Sequence, residues 1–347
     1  MRPPIFSLTS MRATLIGLGK EIYEVCLLLF KLTIPVIIAV KVLEELGAIP
    51  YLSAALSPLM QLVGLPESMG IIWTTTLLTN IYGGMLLFFQ IAPSENLTVA
   101  QVTVLSSMLL MAHSLPLELR ITQMAGMRFV FSFLLRVLSA LLLGALLYHI
   151  YRIGGWLQEP VELIWQPDNT GPQSFYDWVI IQLKGLGMIV MIVTALLSLL
   201  RLLRWLHVER LMIWLLQPLL KLMGIGRQAT SLAIIGVTLG LSFGGGLLIK
   251  EAQSGSVSPK DCFSALCLLS ICHSIIEDTL LVLTMGADLS GVLWARLLFS
   301  LIVVSLITRL LLNTSVQFQQ RYLFRDVSTP ASNDKTHTET VSSGDKL

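Results

Sequence analysis

The chain is poor in charge. Only 13% of its residues are Asp, Glu, Lys or Arg, against 54% hydrophobic ones, and its mean hydropathy is +0.78. So few charges cannot cover a soluble surface, which excludes a water-soluble globular domain and indicates a polytopic membrane protein. Cysteine is equally scarce. Cys26, Cys262, Cys267 and Cys272 all stand in apolar segments. They read as small hydrophobic core residues rather than a secreted disulfide framework. Nothing in the chain reads as a strand. No P-loop glycine run followed by Lys-Ser or Lys-Thr occurs, so the chain carries no nucleotide motor of its own. A net charge of +2 gives no basis for binding nucleic acid. The basic N-terminal stretch with Arg2, Arg12 and Lys20 lacks a small-residue cleavage site. The apolar run behind it is too long for a signal peptide and is expected to stay as a membrane helix.

What the chain does have is a repeat. Residues 113–118 read His-Ser-Leu-Pro-Leu-Glu and residues 273–278 read His-Ser-Ile-Ile-Glu-Asp, two starts whose numbers differ by 160. The same offset takes Pro58 to Pro218, Gly64 to Gly224, Gly84 to Gly244, Gly126 to Gly286 and Arg136 to Arg296. It also takes Thr98 to Ser258. Each of these suits a helix N-cap, with Gln101 and Asp261 three residues on as capping-box partners. Leucine matches come easily in a membrane protein; matched Gly, Pro, His and Arg do not.

Residues 22–48 are long enough to cross about 30 Å of hydrocarbon at about 1.5 Å per residue. Residues 51–64 are shorter and suit an interfacial helix, with Val208–Gly224 as counterpart. Met69–Gln90 and Ser231–Lys250 are broken in the middle, at Thr-Asn-Ile-Tyr-Gly-Gly and Leu-Ser-Phe-Gly-Gly-Gly. Runs of glycine favour an unwound tip, so these segments are spans or re-entrant hairpins. Loop charge separates the two, because lysine and arginine collect on the cytoplasmic side. Neither 49–97 nor 153–176 contains a Lys or Arg, whereas Arg201 to Lys260 holds Arg201, Arg204, Arg210, Lys221, Arg227, Lys250 and Lys260. Hairpins that return to their own side put the uncharged loops outside and the basic stretch inside.

The expected fold is therefore an all-α membrane protein of two inverted-topology repeats. Each repeat has a long helix, an interfacial helix, a re-entrant glycine-tipped hairpin, a broken helix and a final helix. Crossings are expected at 22–48, 98–127, 129–151, 177–204, 260–287 and 291–312. A cytoplasmic N-terminal segment (1–20) precedes the first repeat (21–152). An extracytoplasmic loop (153–176), the second repeat (177–312) and a cytoplasmic, largely disordered tail (313–347) follow. Both termini are placed in the cytoplasm and the protein in a bacterial inner membrane.

Interrupted helices at matching positions of an inverted repeat point to a transporter site near the bilayer midplane. Ionisable residues in apolar sequence mark functional sites by default. Pro116 is expected to open the first helix beside His113 and Glu118. The second motif has no proline, so His273 and Glu277 are expected to share one face of a continuous helix, with Asp278 about 100° away. Arg136 and Arg296 are the natural counter-charges. Blander readings compete: a structural ion pair for Arg136 and Glu118, close packing for the glycines, and core cysteine rather than soft metal ligands for Cys267 and Cys272 beside His273. Gly240-Leu-Ser242-Phe-Gly244 matches a serine-hydrolase elbow, but that elbow needs a sheet.

Assembled in this order, residues 20–312 resemble the nucleoside recognition, or Gate domain, family, present twice. That pattern is shared by concentrative nucleoside transporters, the membrane part of ferrous-iron transporter B and spore maturation proteins A and B. The resemblance implies two hairpins and two unwound helices around a solute. It points to Asn80, Tyr82, Gly83 and Gly84, to Ser242, Gly244, Gly245 and Gly246, and to His113, Ser114, His273 and Ser274. This chain departs from it in having no attached GTPase and no acidic residue at the hairpin tips.

The expected function is an alternating-access permease for a small polar solute, nucleoside-like or otherwise, with Glu118, Glu277 and Asp278 beside the histidines. Proton coupling is expected because histidine titrates near neutrality. A divalent metal ion is the alternative cargo, since imidazole with carboxylate suits zinc, iron or manganese if the two motifs converge. A membrane assembly protein that does not transport is the alternative from another class. No enzyme activity and no cofactor is expected. The partners are the lipid bilayer and a small polar solute or ion, with a homo- or hetero-oligomer left open.

Overall fold

In lipid the backbone must satisfy its own hydrogen bonds, so a chain this apolar folds into helices. The computed structural model describes residues 8–165, 174–206, 245–246, 248–255 and 257–327, with Trp214 and Pro218 as isolated positions. Among the described residues there is no strand, only the isolated bridges Thr98 to Pro160 and Met127 to Phe324. The helices are α1 Leu8–Glu45, α2 Ile49–Leu62, α3 Met69–Leu78, α4 Ile81–Ile91, α5 Val99–Met111, α6 Leu115–Met124, α7 Phe129–Gly154 and α8 Phe175–Trp205. Then come α9 Pro259–Ile271, α10 Glu277–Leu283 and α11 Arg296–Leu312, the last preceded by a π-helical turn Ser290–Ala295. The expected interfacial helix Val208–Gly224, most of the second hairpin with Ser242 and Gly244, and the tail beyond Val327 lie outside the described residues.

Five helical stretches among the described residues are long and apolar enough to cross a membrane: Ile16–Glu45, Val99–Met124, Phe129–Gly154, Phe175–Leu203 and Ser290–Leu311. The remaining expected crossing, 260–287, is divided into α9 of 13 residues and α10 of 7, neither long enough alone. Val99–Met124 is divided too, between α5 and α6. Burial ranks them. The Val99–Met124 stretch is 89% buried and Ile16–Glu45 only 22%, which puts the former at the axis and turns α1 outward. Outward side chains such as Leu28, Ile38 and Val42 are apolar, as a lipid-facing surface requires.

The two divided helices run antiparallel. Loop residues 157–161 cover the start of α5, where Ala100 N donates to Leu157 O at 2.8 Å and Val99 N to Glu159 O at 3.0 Å. Val161 of that loop also abuts Gly286, just past the end of α10. At the other end Cys262 Sγ, in the first turn of α9, donates to Ala125 O at 3.6 Å, just past the end of α6. Each chain half therefore begins where the other finishes, and the breaks meet in the middle.

Local chemistry sets the boundaries of α5 and α9. Thr98 Oγ1 accepts from Gln101 N at 3.2 Å while Gln101 Oε1 accepts from Thr98 N at 3.1 Å, a reciprocal capping box. Ser258 Oγ accepts from Asp261 N at 3.1 Å in the same way. From these caps α5 and α9 each run 13 residues and stop two residues before a histidine.

The glycine tip of the first hairpin is corrected by the structure. The chain breaks at Thr79–Asn80, and Asn80 starts α4 by accepting from Gly83 N at 2.9 Å, so Gly83 and Gly84 are helical. Their role is packing. A Cβ on Gly84 would overlap the Thr76 hydroxyl, which is itself tied to Ile72 O at 2.9 Å. Gly84→Ala is expected to cost about 1–3 kcal/mol through this overlap. A melting temperature in detergent equal to that of the parent would contradict it.

Candidate functional site

Both breaks have the same backbone form. Ala112 leaves its helix in extended conformation and Cys272 with φ −148° and ψ 76°, and two residues later Ser114 and Ser274 take left-handed φ values of 48° and 44°. A non-glycine residue held there carries strain, and such strain persists only where the surroundings fix it. Ser114 N donates to Thr76 O at 3.1 Å, which anchors the first break to the end of α3. The second break exists without a proline, so His273 and Glu277 do not lie on one continuous helix as expected. Pro116 stands in the first turn of α6, where its missing N–H costs nothing.

Buried arginines hold the breaks open. Arg136 and Arg296 are 0% and 1% exposed, and each donates to the carbonyl of its own half's histidine, at 3.2 Å to His113 O and 2.8 Å to His273 O. Arg296 further reaches Leu110 O at 3.4 Å and Ile271 O at 3.5 Å, so one guanidinium satisfies carbonyls freed at the ends of both α5 and α9. Arg136 pairs with Glu118 Oε2 as an intimate buried ion pair. The counter-charge expectation thus fits Arg136. Arg296 instead spends its hydrogen bonds on carbonyls.

The imidazoles are oriented identically. His113 Nδ1 lies 2.9 Å from Leu109 O and His273 Nδ1 2.8 Å from Leu269 O, each contact reaching back four residues. A carbonyl only accepts, so both Nδ1 atoms carry hydrogen and both Nε2 atoms point inward. The two Nε2 atoms are 3.2 Å apart, and Glu118 Oε1 lies 3.3 Å from each. Asp278 Oδ2 sits 3.9 Å from His113 Nε2, buried, and takes part in no hydrogen bond. Residues from both chain halves meet at this point.

The remaining expected residues arrange themselves around that centre. Tyr82 on α4 and Glu277 at the start of α10 are both half-buried. Asn80 is buried with its oxygen used as the α4 cap and its Nδ2 unpartnered. Gly245 is buried against Ile121 of α6. Ser114 and Ser274 serve as the bend residues. Among the described residues the group able to hold a metal ion is His113, Glu118 and His273, without Cys267 or Cys272. The carbonyls of Leu109, Leu269 and Thr76 make contacts that orient the histidines and the first bend, and residue types do not announce them. Only the four-residue spacing before each histidine hints at the first two.

No known family model matches the chain, and no solved structure matches it. The chain is similar to the uncharacterized membrane protein YvoD of Bacillus subtilis (strain 168), with 26% identity over 291 residues, covering 82% of this chain and 89% of that protein. This similarity and the five apolar helices together support a membrane protein.

Proposed function

We propose that this protein is an alternating-access permease that carries a small polar solute or ion across the bacterial inner membrane. One observation carries the reading: His113 and Glu118 from one chain half and His273 and Asp278 from the other converge at the breaks of two antiparallel helices. Ionisable groups cost several kcal/mol in hydrocarbon and half-helix ends leave backbone groups unpaired, so such a cluster belongs where a solute or ion is held. The two halves act as inverted repeats that rock about it. The distribution of lysine and arginine supports six crossings with both termini in the cytoplasm. The halves are not identical at the site, since Asp278 stands where Glu118 does and Glu277 is additional.

The buried pairing of Arg136 with Glu118 favours, as a second reading, a membrane assembly protein that keeps this network for folding alone. Proteoliposomes separate the two. Uptake is measured with nucleosides, nucleobases, dicarboxylates and divalent metals, for the parent and for a His113→Ala/His273→Ala variant. The permease reading expects saturable uptake of one class, reduced at least about tenfold in the variant, a loss of ~1.4 kcal/mol or more of binding. Uptake of every class equal to that of protein-free liposomes, with a variant that melts early, would establish the assembly reading.

A further inference from the structure

The geometry points to a divalent transition-metal site formed by His113, His273 and Glu118, with Asp278 as a fourth ligand, at the place where the cargo binds. It rests on the permease reading only in taking the bound ion for cargo.

Lone pairs converge on one point. Because both Nδ1–H groups are committed to Leu109 and Leu269 carbonyls, a neutral His113 and a neutral His273 each present a bare Nε2. Glu118 Oε2 pairs with Arg136, and its Oε1 lies against both Nε2 atoms as the third ligand-type atom of the group. With both rings neutral, these three atoms, 3.2, 3.3 and 3.3 Å from one another, turn their lone pairs to one point, where a cation satisfies all three. The spacing also fits a metal ion. Ligand atoms around a tetrahedral ion with bonds of ~2.0–2.1 Å stand about 3.3–3.4 Å apart, so these three atoms already form one face of such a tetrahedron.

The surroundings match what holds a metal in place. A ligating histidine commonly donates its other N–H to a backbone carbonyl, which fixes tautomer and ring orientation, and both rings do so here. A ligating carboxylate is itself hydrogen-bonded, as Glu118 is by Arg136. Asp278 supplies the independent pointer. It is 8% exposed, its Oδ2 takes part in no hydrogen bond, and that oxygen faces the cluster from the other chain half. Two imidazoles with one or two carboxylates suit zinc, ferrous iron, manganese or cobalt, whereas all-oxygen sites suit magnesium and calcium.

The full-length protein, purified in detergent and stripped of metal, is titrated with Co(II) and followed by its visible absorption. The site expects one Co(II) per chain, an absorption band of tetrahedral nitrogen and oxygen coordination, and displacement by one equivalent of Zn(II). Glu118→Gln is expected to abolish the band. Asp278→Asn is expected to weaken Co(II) at least about tenfold, a loss within the range for altered metal surroundings, while the melting temperature holds, because Oδ2 has no hydrogen bond to lose. No band, or a band of equal affinity in the parent and both variants, would overturn the assignment. Metal binding without flux in proteoliposomes would keep the site and remove the permease. Saturable uptake of an organic solute by a protein that leaves Co(II) unbound would do the reverse.

Discussion

Glu118→Gln is expected to lower the melting temperature by at least about 6 °C and to abolish ligand binding at the same time. Glu118 and Arg136 are 1% and 0% exposed, so removing the carboxylate's charge strands a guanidinium where no water can reach it. Breaking a buried pair in this way costs about 3–5 kcal/mol, and each kcal/mol moves the melting point of a large domain by roughly 2 °C or more. The double variant Glu118→Leu/Arg136→Met tells stability from function. Replacing both ion-pair partners by apolar groups of similar size is often neutral or stabilising, so the double variant is expected to lose only the donor to the His113 carbonyl, about 1–3 kcal/mol, and still bind nothing. Restored binding in that double variant would show that the carboxylate is not part of the site.

Arg296→Leu is expected to destabilise by about 3 kcal/mol, because three carbonyls lose their donor at once and each unsatisfied buried group costs ~1–3 kcal/mol. Arg296→Lys is the informative comparison. An ammonium on a flexible stem is a point charge and cannot span His273 O, Leu110 O and Ile271 O as the planar guanidinium does. It is expected to recover less than half of the loss, read as melting temperature in detergent. A lysine variant as stable as the parent would mean that Arg296 serves as a charge rather than as a bracket across the two breaks. Because the hydrogen bonds of Arg296 go to backbone carbonyls, that of His273 among them, its loss is expected to act on affinity through displacement of His273.

The helical membrane character was legible from charge scarcity and apolar runs, and the start of α5 from Thr98 and Gln101, because capping and hydrophobicity are local properties. The second break was not. Its cause lies outside its own segment, in Arg296 reaching across from the following helix to carbonyls that the residues 272–276 leave unpaired. The role of Gly84 was misplaced for the same reason: what fills the space of its absent Cβ is Thr76 on the preceding helix. The sequence marks His113, Glu118, His273 and Asp278 as unusual by their apolar surroundings. Their approach to within 3.2–3.9 Å follows from the antiparallel passage of α5–α6 beside α9–α10, which depends on packing between residues about 160 apart. Arg136 could be matched to Glu118 by charge, whereas a carbonyl partner leaves no mark on residue type.

Water access to the breaks from each side tests the alternating-access claim most directly. Cys26, Cys262, Cys267 and Cys272 are buried and would be replaced in a background that keeps the parent melting temperature. Ser114→Cys, at the first bend, is then exposed to a membrane-impermeant thiol reagent in right-side-out and in inside-out vesicles. Reaction is expected from both sides, each slowed by the transported ligand, with that protection lost when Glu118→Gln is added. A thiol that reacts from neither side, in a protein that still melts like the parent, would contradict the permease and leave a sealed structural core.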